Sequence, residues 1–197
     1  MMAVIRTSII SLVVFTVMLG IIYPMAMTGV SQVLFPDKAN GSIIEKNGKA
    51  VGSALIGQPF SDPRYFWSRP SATTPYPYNA SSSSGSNLGQ NNPDLQKALS
   101  DRIAALKAAD PENTQPIPVD LITASGSGLD PHISPAAALY QVRRVAKQRG
   151  IGEGLVLSLV ETYKESRQLG ILGDPVVNVV KLNMALDDIG VGRPRRK

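Results

Sequence analysis

The amino-acid sequence predicts a mixed α/β (α+β) soluble domain carried by one N-terminal transmembrane helix. Three observations carry that prediction. No charged residue lies between Arg6 and Asp37. Further on, Asn47-Gly48 separates two short apolar runs, the signature of a tight hairpin. Asn92-Pro93 and Ser134-Pro135 then set a capping side chain and a proline at the head of segments with helical apolar spacing. The expected organisation is an N-terminal segment 1–36 with a span at about 7–30, a domain over 37–192 and a basic, disordered tail over 193–197.

The span follows from the solvent this run requires. A helix needs about 20 apolar residues to cross roughly 30 Å of hydrocarbon. About ten residues of the run are Leu, Ile, Val or Phe, each favouring insertion by roughly 0.3–0.6 kcal/mol, and no Asp, Lys or Arg opposes them. A secretory signal is the alternative, with Arg6 as its charged head. Such a signal has an apolar stretch of about 7–15 residues and a small-x-small exit. This run continues past Tyr23 and exits as Tyr23-Pro24-Met25-Ala26-Met27, so an uncleaved anchor is expected. Pro24 kinks the helix and frees a carbonyl that needs another partner. Ser8, Thr16, Gly20 and Thr28 recur at multiples of four and share a face. Small residues on one face let a second helix approach closely, which makes Thr16 and Gly20 candidate contacts to a partner membrane subunit. Charge does not settle orientation: Arg6 and the amino terminus stand against Lys38, Lys46 and Lys49.

The chain has 197 residues, no cysteine, one histidine and a formal net charge of +5. Without the anchor, about 160 residues remain, enough for one domain with its own core. The missing cysteines exclude disulfides, thiolate metal sites and a Cys nucleophile. Part of the charge sits in Arg193-Pro194-Arg195-Arg196-Lys197, a solvated end with no interleaved aromatics, so nucleic acid is not an expected partner.

After Phe35-Pro36 the chain turns polar. Ile43–Lys46 and Lys49–Val51 pair across Asn47-Gly48, with the second strand continuing toward Leu55-Ile56. Residues 57–93 hold Phe60, Tyr65, Phe66, Trp67, Tyr76 and Tyr78, five prolines before Asn79, and the run Ser81-Ser82-Ser83-Ser84-Gly85-Ser86-Asn87. So many prolines forbid a long helix or a central strand. The aromatics require burial or a partner, so the expectation is an ordered loop that packs on the core and presents Arg64, Trp67 and Arg69. Asn92 caps a helix with Leu95, Leu99, Ile103 and Leu106 on its inner stripe, ending near Asp110-Pro111. Val119–Thr123 fits a strand or a helix equally. Ser134 caps the next helix, with Leu139, Val142 and Val145 inward and Gly150 as terminator. A third helix is expected over Glu153–Ser166, with Leu155, Leu159 and Tyr163 on one side. A short strand at Val176–Val179 and a helix to about Ile189 close the domain.

The segment Ser125-Gly126-Ser127-Gly128-Leu129-Asp130-Pro131-His132-Ile133-Ser134 offers serines, a carboxylate and the only histidine. A catalytic triad needs nucleophile, base and orienting acid within about 3 Å, which three residues of one short loop rarely achieve. Gly126-Ser127-Gly128 does not match the Gly-x-Ser-x-Gly elbow. The structural reading fits better: Ser127 and Asp130 bond local backbone, and His132 packs near the cap at Ser134. A stand-alone anchored enzyme or binding protein using residues 125–134 stays as the alternative. No Walker A motif and no metal-ligand spacing is present, so no directly bound cofactor and no metal are expected.

Several blocks resemble the C chain of the Kdp-type potassium-transporting ATPase of bacteria. They are Arg64-Tyr65-Phe66-Trp67-Ser68-Arg69-Pro70-Ser71-Ala72, Tyr78-Asn79-Ala80, Ser84-Gly85-Ser86-Asn87-Leu88-Gly89, Asp120 through Pro135, and Leu172 through Asn183, with Asp174 where the family has Glu. With the anchor they cover almost the whole chain. The resemblance implies a single-pass subunit of a four-chain inner-membrane complex, without catalytic residues of its own and with its soluble domain in the periplasm. Its implied partners are a potassium-translocating, channel-like subunit and a P-type ATPase subunit, with ATP and potassium acting at the level of the complex. It also implies an assembly role and a chaperone role that promotes ATP use by the pump subunit. A periplasmic domain reaches cytoplasmic ATP only by biasing a conformational equilibrium. On this reading Thr16, Gly20, Arg64, Trp67, Arg69, Asp130 and His132 are the candidate partner-contact residues.

Overall fold

In the computed structural model of the chain, residues 2–46 and 48–189 are described, and they divide between two units, Met1–Ser53 and Ala54–Lys197. The division falls after the hairpin, whereas the sequence reading places it at 36/37. Asn47 and the tail 193–197 lie outside the described residues.

In the first unit the apolar run is helical from Met2 to Leu34, 33 residues whose most apolar 18-residue stretch has mean hydropathy 2.3 and is nowhere buried. At 1.5 Å per residue that is about 50 Å of helix, more than a bilayer's hydrocarbon requires. The helix is interrupted once. Helix α1 (Met2–Val17) passes through a π-helical turn at Met18–Ile22 into α2 (Tyr23–Leu34). The Tyr23 N–H donates to the Met18 carbonyl, a five-residue span. Pro24 explains the position. It has no N–H, and its ring would strike the Gly20 carbonyl four residues back, so widening one turn relieves the clash. The short helix α3 (Pro36–Ala39) follows, then β1 (Ile43–Lys46) and β2 (Lys49–Ser53). These strands pair antiparallel, Ile43 opposite Ser53 and Lys46 opposite Lys49, with a bulge at Ile44/Glu45. Gly48 takes φ +71°, as the tight turn demands. The second strand stops at Ser53, short of Leu55-Ile56.

The second unit opens with a long stretch free of helix and strand, 54–92, and then alternates helices with short strands. Helix α4 (Pro93–Ala109) begins where Asn92 accepts from the Asp94 N–H. Val119–Leu121 resolves as a single 3₁₀ turn. Strand β3 (His132–Ile133) leads into α5 (Pro135–Arg149), capped by Ser134 and closed by Gly150 at φ +66°. Helix α6 (Glu153–Thr162) is followed by β4 (Lys164–Glu165), β5 (Val176–Asn178) and α7 (Val179–Asp188), whose cap is Asn178. The sheet runs β3-β5-β4, all antiparallel, with Val177 central.

Two helix expectations are corrected here. Helix α6 ends at Thr162, because the chain then extends to pair Lys164 with Val177 and Glu165 with Val176. One residue of each inward face is also corrected: Leu139 is 47% exposed and Leu155 43%, while Val142 and Val145 are buried and Leu159 and Tyr163 pack against the core as expected, joined by Ala138, Val156 and Val160. Apolar spacing identifies a helix but not the phase at which its neighbours meet it. The core unites Phe66, Trp67, Leu106, Leu121, Ile133, Val145, Val156, Val177, Leu182 and Leu186.

Candidate functional site

The aromatic loop is ordered because buried amides receive its backbone. Phe66 is 0% and Trp67 6% exposed. In a core their N–H and C=O groups need partners, and no strand lies alongside. Two side chains substitute for one. Asn183, on α7, accepts from the Phe66 N–H and donates to its carbonyl, both at 2.9 Å. Gln141, on α5, accepts from the Trp67 N–H at 2.7 Å and donates to its carbonyl at 3.2 Å. Each amide has one donor and one acceptor end, so each reproduces the pair of bonds that a β neighbour would make.

Arginines hold the flanks. The Trp67 ring lies beneath Arg144 at 4.7 Å and Arg102 at 5.2 Å. Arg102 donates to the Leu121 and Ser68 carbonyls, and Arg144 to the Pro63 and Tyr65 carbonyls and to Gln141. Burial pushes the Arg144 guanidinium down to about 10 and lowers Arg102 as well. Arg149 covers the Tyr65 ring, donates to the Arg64 carbonyl and pairs with Asp187 at 2.9 Å.

The 125–134 segment is knitted to the same loop. Arg69 pairs with Asp130 at 3.3 Å, and the Asp130 carboxylate also accepts from the His132 N–H at 3.0 Å. Burial opposes ionisation of Asp130, but the hydrogen bonds from His132 and the charge of Arg69 outweigh it and hold the carboxyl below its usual range. His132 Nδ1 is 3.3 Å from Asp130, and its Nε2 is 3.4 Å from the Asn178 amide nitrogen. That amide is oriented, because its oxygen accepts from the Lys181 N–H. Its nitrogen donates to the Ala54 carbonyl at 2.8 Å and faces His132 Nε2. Ser127 Oγ accepts from the Leu129 N–H, and the Ser127 carbonyl accepts from Ser84 N–H and Ser83 Oγ. The two Ser-Gly stretches meet backbone to backbone: a Cβ on Gly85 would sit 2.9 Å from the Gly126 carbonyl oxygen. Among the described residues no three His, Asp or Glu side chains converge as a metal site.

Arg69, Asp130 and His132 are thus brought together, while Arg64 stands apart, half-exposed and paired with Asp62 at 2.7 Å. Trp67 is corrected: expected on display, it is buried beneath its arginines. Thr16 and Gly20 lie side by side on the apolar helix, with Thr16 Cγ2 4.0 Å from where a Gly20 Cβ would be. The π turn takes up one residue, so the step from Thr16 to Thr28 advances like about eleven residues, close to three α-turns. Thr28 therefore returns to the face of Thr16. Gln141, Asn183, Arg102 and Arg144 escape the sequence reading. Their signal is phase: Gln141 sits three residues from Ala138 and four from Val145, and Asn183 four from Val179.

Fold and site together define a mixed helix–sheet protein with one N-terminal helix long and apolar enough to cross a membrane. The sequence matches the family described as K+-transporting ATPase, c chain (KdpC), over residues 5–188. A Methylococcus capsulatus protein named potassium-transporting ATPase KdpC subunit is 59% identical over 92% of this chain and 96% of its own. Proteins of the same name from Dechloromonas aromatica and Sorangium cellulosum are 58% and 56% identical, over 96% and 95% of this chain and 99% and 98% of theirs. The chain belongs to the KdpC family.

Proposed function

We propose that this chain is a non-catalytic accessory subunit of an ATP-driven potassium uptake complex in the bacterial inner membrane. Its N-terminal helix docks against a channel-like, potassium-translocating subunit, and its second unit stands in the periplasm. There it assists assembly and favours a conformation in which the P-type ATPase subunit uses ATP. The observation that carries the reading is the occupancy of the 125–134 segment. Ser127 Oγ is taken up by the Leu129 N–H, and Asp130 meets the backbone and ring of His132, an arrangement that builds a rigid surface rather than an assembled nucleophile and base. Family membership supports the partners. The effect on ATP is read as indirect, because a binding partner shifts a conformational equilibrium only through differential affinity for its states.

The test is co-purification. A Gly20→Leu chain inserts as well as the parent, since a Cβ at that position meets only Thr16. Its bulk on the face shared with Thr16 is expected to lower recovery of the other subunits several-fold, by the loss of close helix approach. Undiminished recovery and transport would remove the docking face from the proposal.

A further inference from the structure

Where the aromatic loop meets helix α4 there is a cleft of about 190 Å³, lined by Ser61, Arg69, Tyr78 and Arg102 among others, all within the second unit. Two guanidinium side chains line it, and each keeps an N–H to spare. Arg102 donates Nε to the Leu121 carbonyl and Nη2 to the Ser68 carbonyl, which leaves Nη1 without an acceptor among the described residues. Arg69 donates Nη1 to Asp130 and Nη2 to the Ala124 carbonyl, while its Nε is buried and has no hydrogen-bond partner. A buried charged donor left unpaired costs free energy, so an acceptor supplied from outside would be favoured there. Ser61, exposed at the cleft, offers a further hydroxyl.

The charges around the cleft do not balance. Arg102 and Arg144 both lie over the Trp67 ring, and Arg69 follows two residues after it. Of these three arginines only Arg69 has an ion pair among the described residues, and its partner Asp130 is shared with His132. Burial lowers the Arg102 guanidinium, and no carboxylate counters that effect. Partly buried positive charge in excess of its carboxylates draws an anion. We propose that this cleft binds a small free oxyanion of the phosphate or sulfate kind between Arg69 and Arg102. Size and shape select it. The cleft holds the volume of roughly six waters at about 30 Å³ each, room for a tetrahedral oxyanion. Pockets for drug-sized organic ligands take about 300–1,000 Å³. Guanidinium forks match an oxyanion, whose several oxygens accept from both arginines at once.

The wall of the cleft is fixed beforehand. The Tyr78 hydroxyl donates to the Arg69 carbonyl at 2.5 Å, and the Ser71 hydroxyl accepts from the Tyr78 N–H at 2.9 Å and donates to the Gly128 carbonyl at 2.7 Å. An anion therefore meets arginines whose backbone and stems are already placed, and little ordering remains to oppose binding. Once bound, it ties Arg69 of the aromatic loop to Arg102 of α4 and stabilises the folded unit by mass action.

The protein carries its own reporter. Trp67 is the only tryptophan, and its ring lies 5.2 Å from the Arg102 guanidinium, so its emission reads the cleft in the full chain. The chain in neutral detergent is titrated with inorganic phosphate at constant ionic strength. The expected result is a saturable change in Trp67 emission, with Tm raised by about 5 °C at saturation. Arg102→Lys keeps the charge and loses the fork, and should weaken phosphate binding about tenfold. Ser61→Glu, at an exposed position, sets a carboxylate at the cleft and should abolish the response in a chain that still folds. No saturable change in the parent, or an undiminished response in Ser61→Glu, overturns the proposal. An equal response to sodium chloride alone reduces the effect to screening and overturns it as well. Tighter binding of glycerol phosphate than of inorganic phosphate overturns the free-ion assignment in favour of a lipid headgroup. If Arg102→Lys fails to fold, Ser61→Glu and the chloride titration decide the matter.

Discussion

Asp130 joins two parts of the second unit, since its carboxylate meets Arg69 from the aromatic loop and both the ring and the backbone of His132 in its own segment. Its folded-state pKa lies below the unfolded value of about 3.9, so its contribution is complete above that value and is lost as pH falls through the folded pKa. Asp130→Asn is expected to lower stability at pH 7 by about 1 kcal/mol, a figure reduced for partial exposure. It should also flatten the decline of stability below about pH 4, read by urea unfolding across pH. Gly128 answers to geometry instead. At φ +68° a Cβ there would lie 2.6 Å from the Ser84 carbonyl oxygen. Gly128→Ala therefore combines backbone strain with a backbone clash and should cost about 2 kcal/mol or more in the same assay.

Among the elements, the loop 54–92 departs furthest from ordinary secondary structure, and it is held by side chains that belong to helices. Gln141 and Asn183 act as one-residue strands, and removing either leaves buried N–H and C=O groups unpaired. Gln141→Leu is expected to destabilise the unit by about 2–3 kcal/mol and to raise amide exchange first at Trp67, whose N–H it holds. Exchange unchanged at that amide would refute the clamp. The sequence made this loop legible as ordered and non-helical, through its prolines and aromatics. It did not reveal the clamp, because Gln141 and Asn183 read as polar interruptions until the helical phase is known. Hairpin, capped helices and closing strand were legible because Asn-Gly, Asn-Pro, Ser-Pro and Gly150 act locally. The inward faces of α5 and α6 were legible at Val142, Val145, Leu159 and Tyr163 but not at Leu139 and Leu155, which lose their place in the core only when neighbours arrive at a different angle.

For the molecule as a whole, the reading of the second unit as periplasmic makes a direct prediction. Glu112 is well exposed, and its cysteine variant should react with an impermeant maleimide in cells whose outer membrane alone is permeabilised. Labelling only after the inner membrane is breached would reverse the orientation, which charge at the two helix ends leaves open.

By itself the sequence determined that the first helix is apolar enough to cross a membrane and where helices α4 and α5 begin and end. Those properties depend on summed transfer energy and on caps, which act within a few residues of chain. The tertiary structure alone decided that Trp67 lies buried under Arg102 and Arg144, that His132 is tied to Asp130 and Asn178, and that Leu169 and Ile171 remain uncovered. Each depends on groups far apart in sequence arriving at one place, and that packing is settled only when all the elements meet.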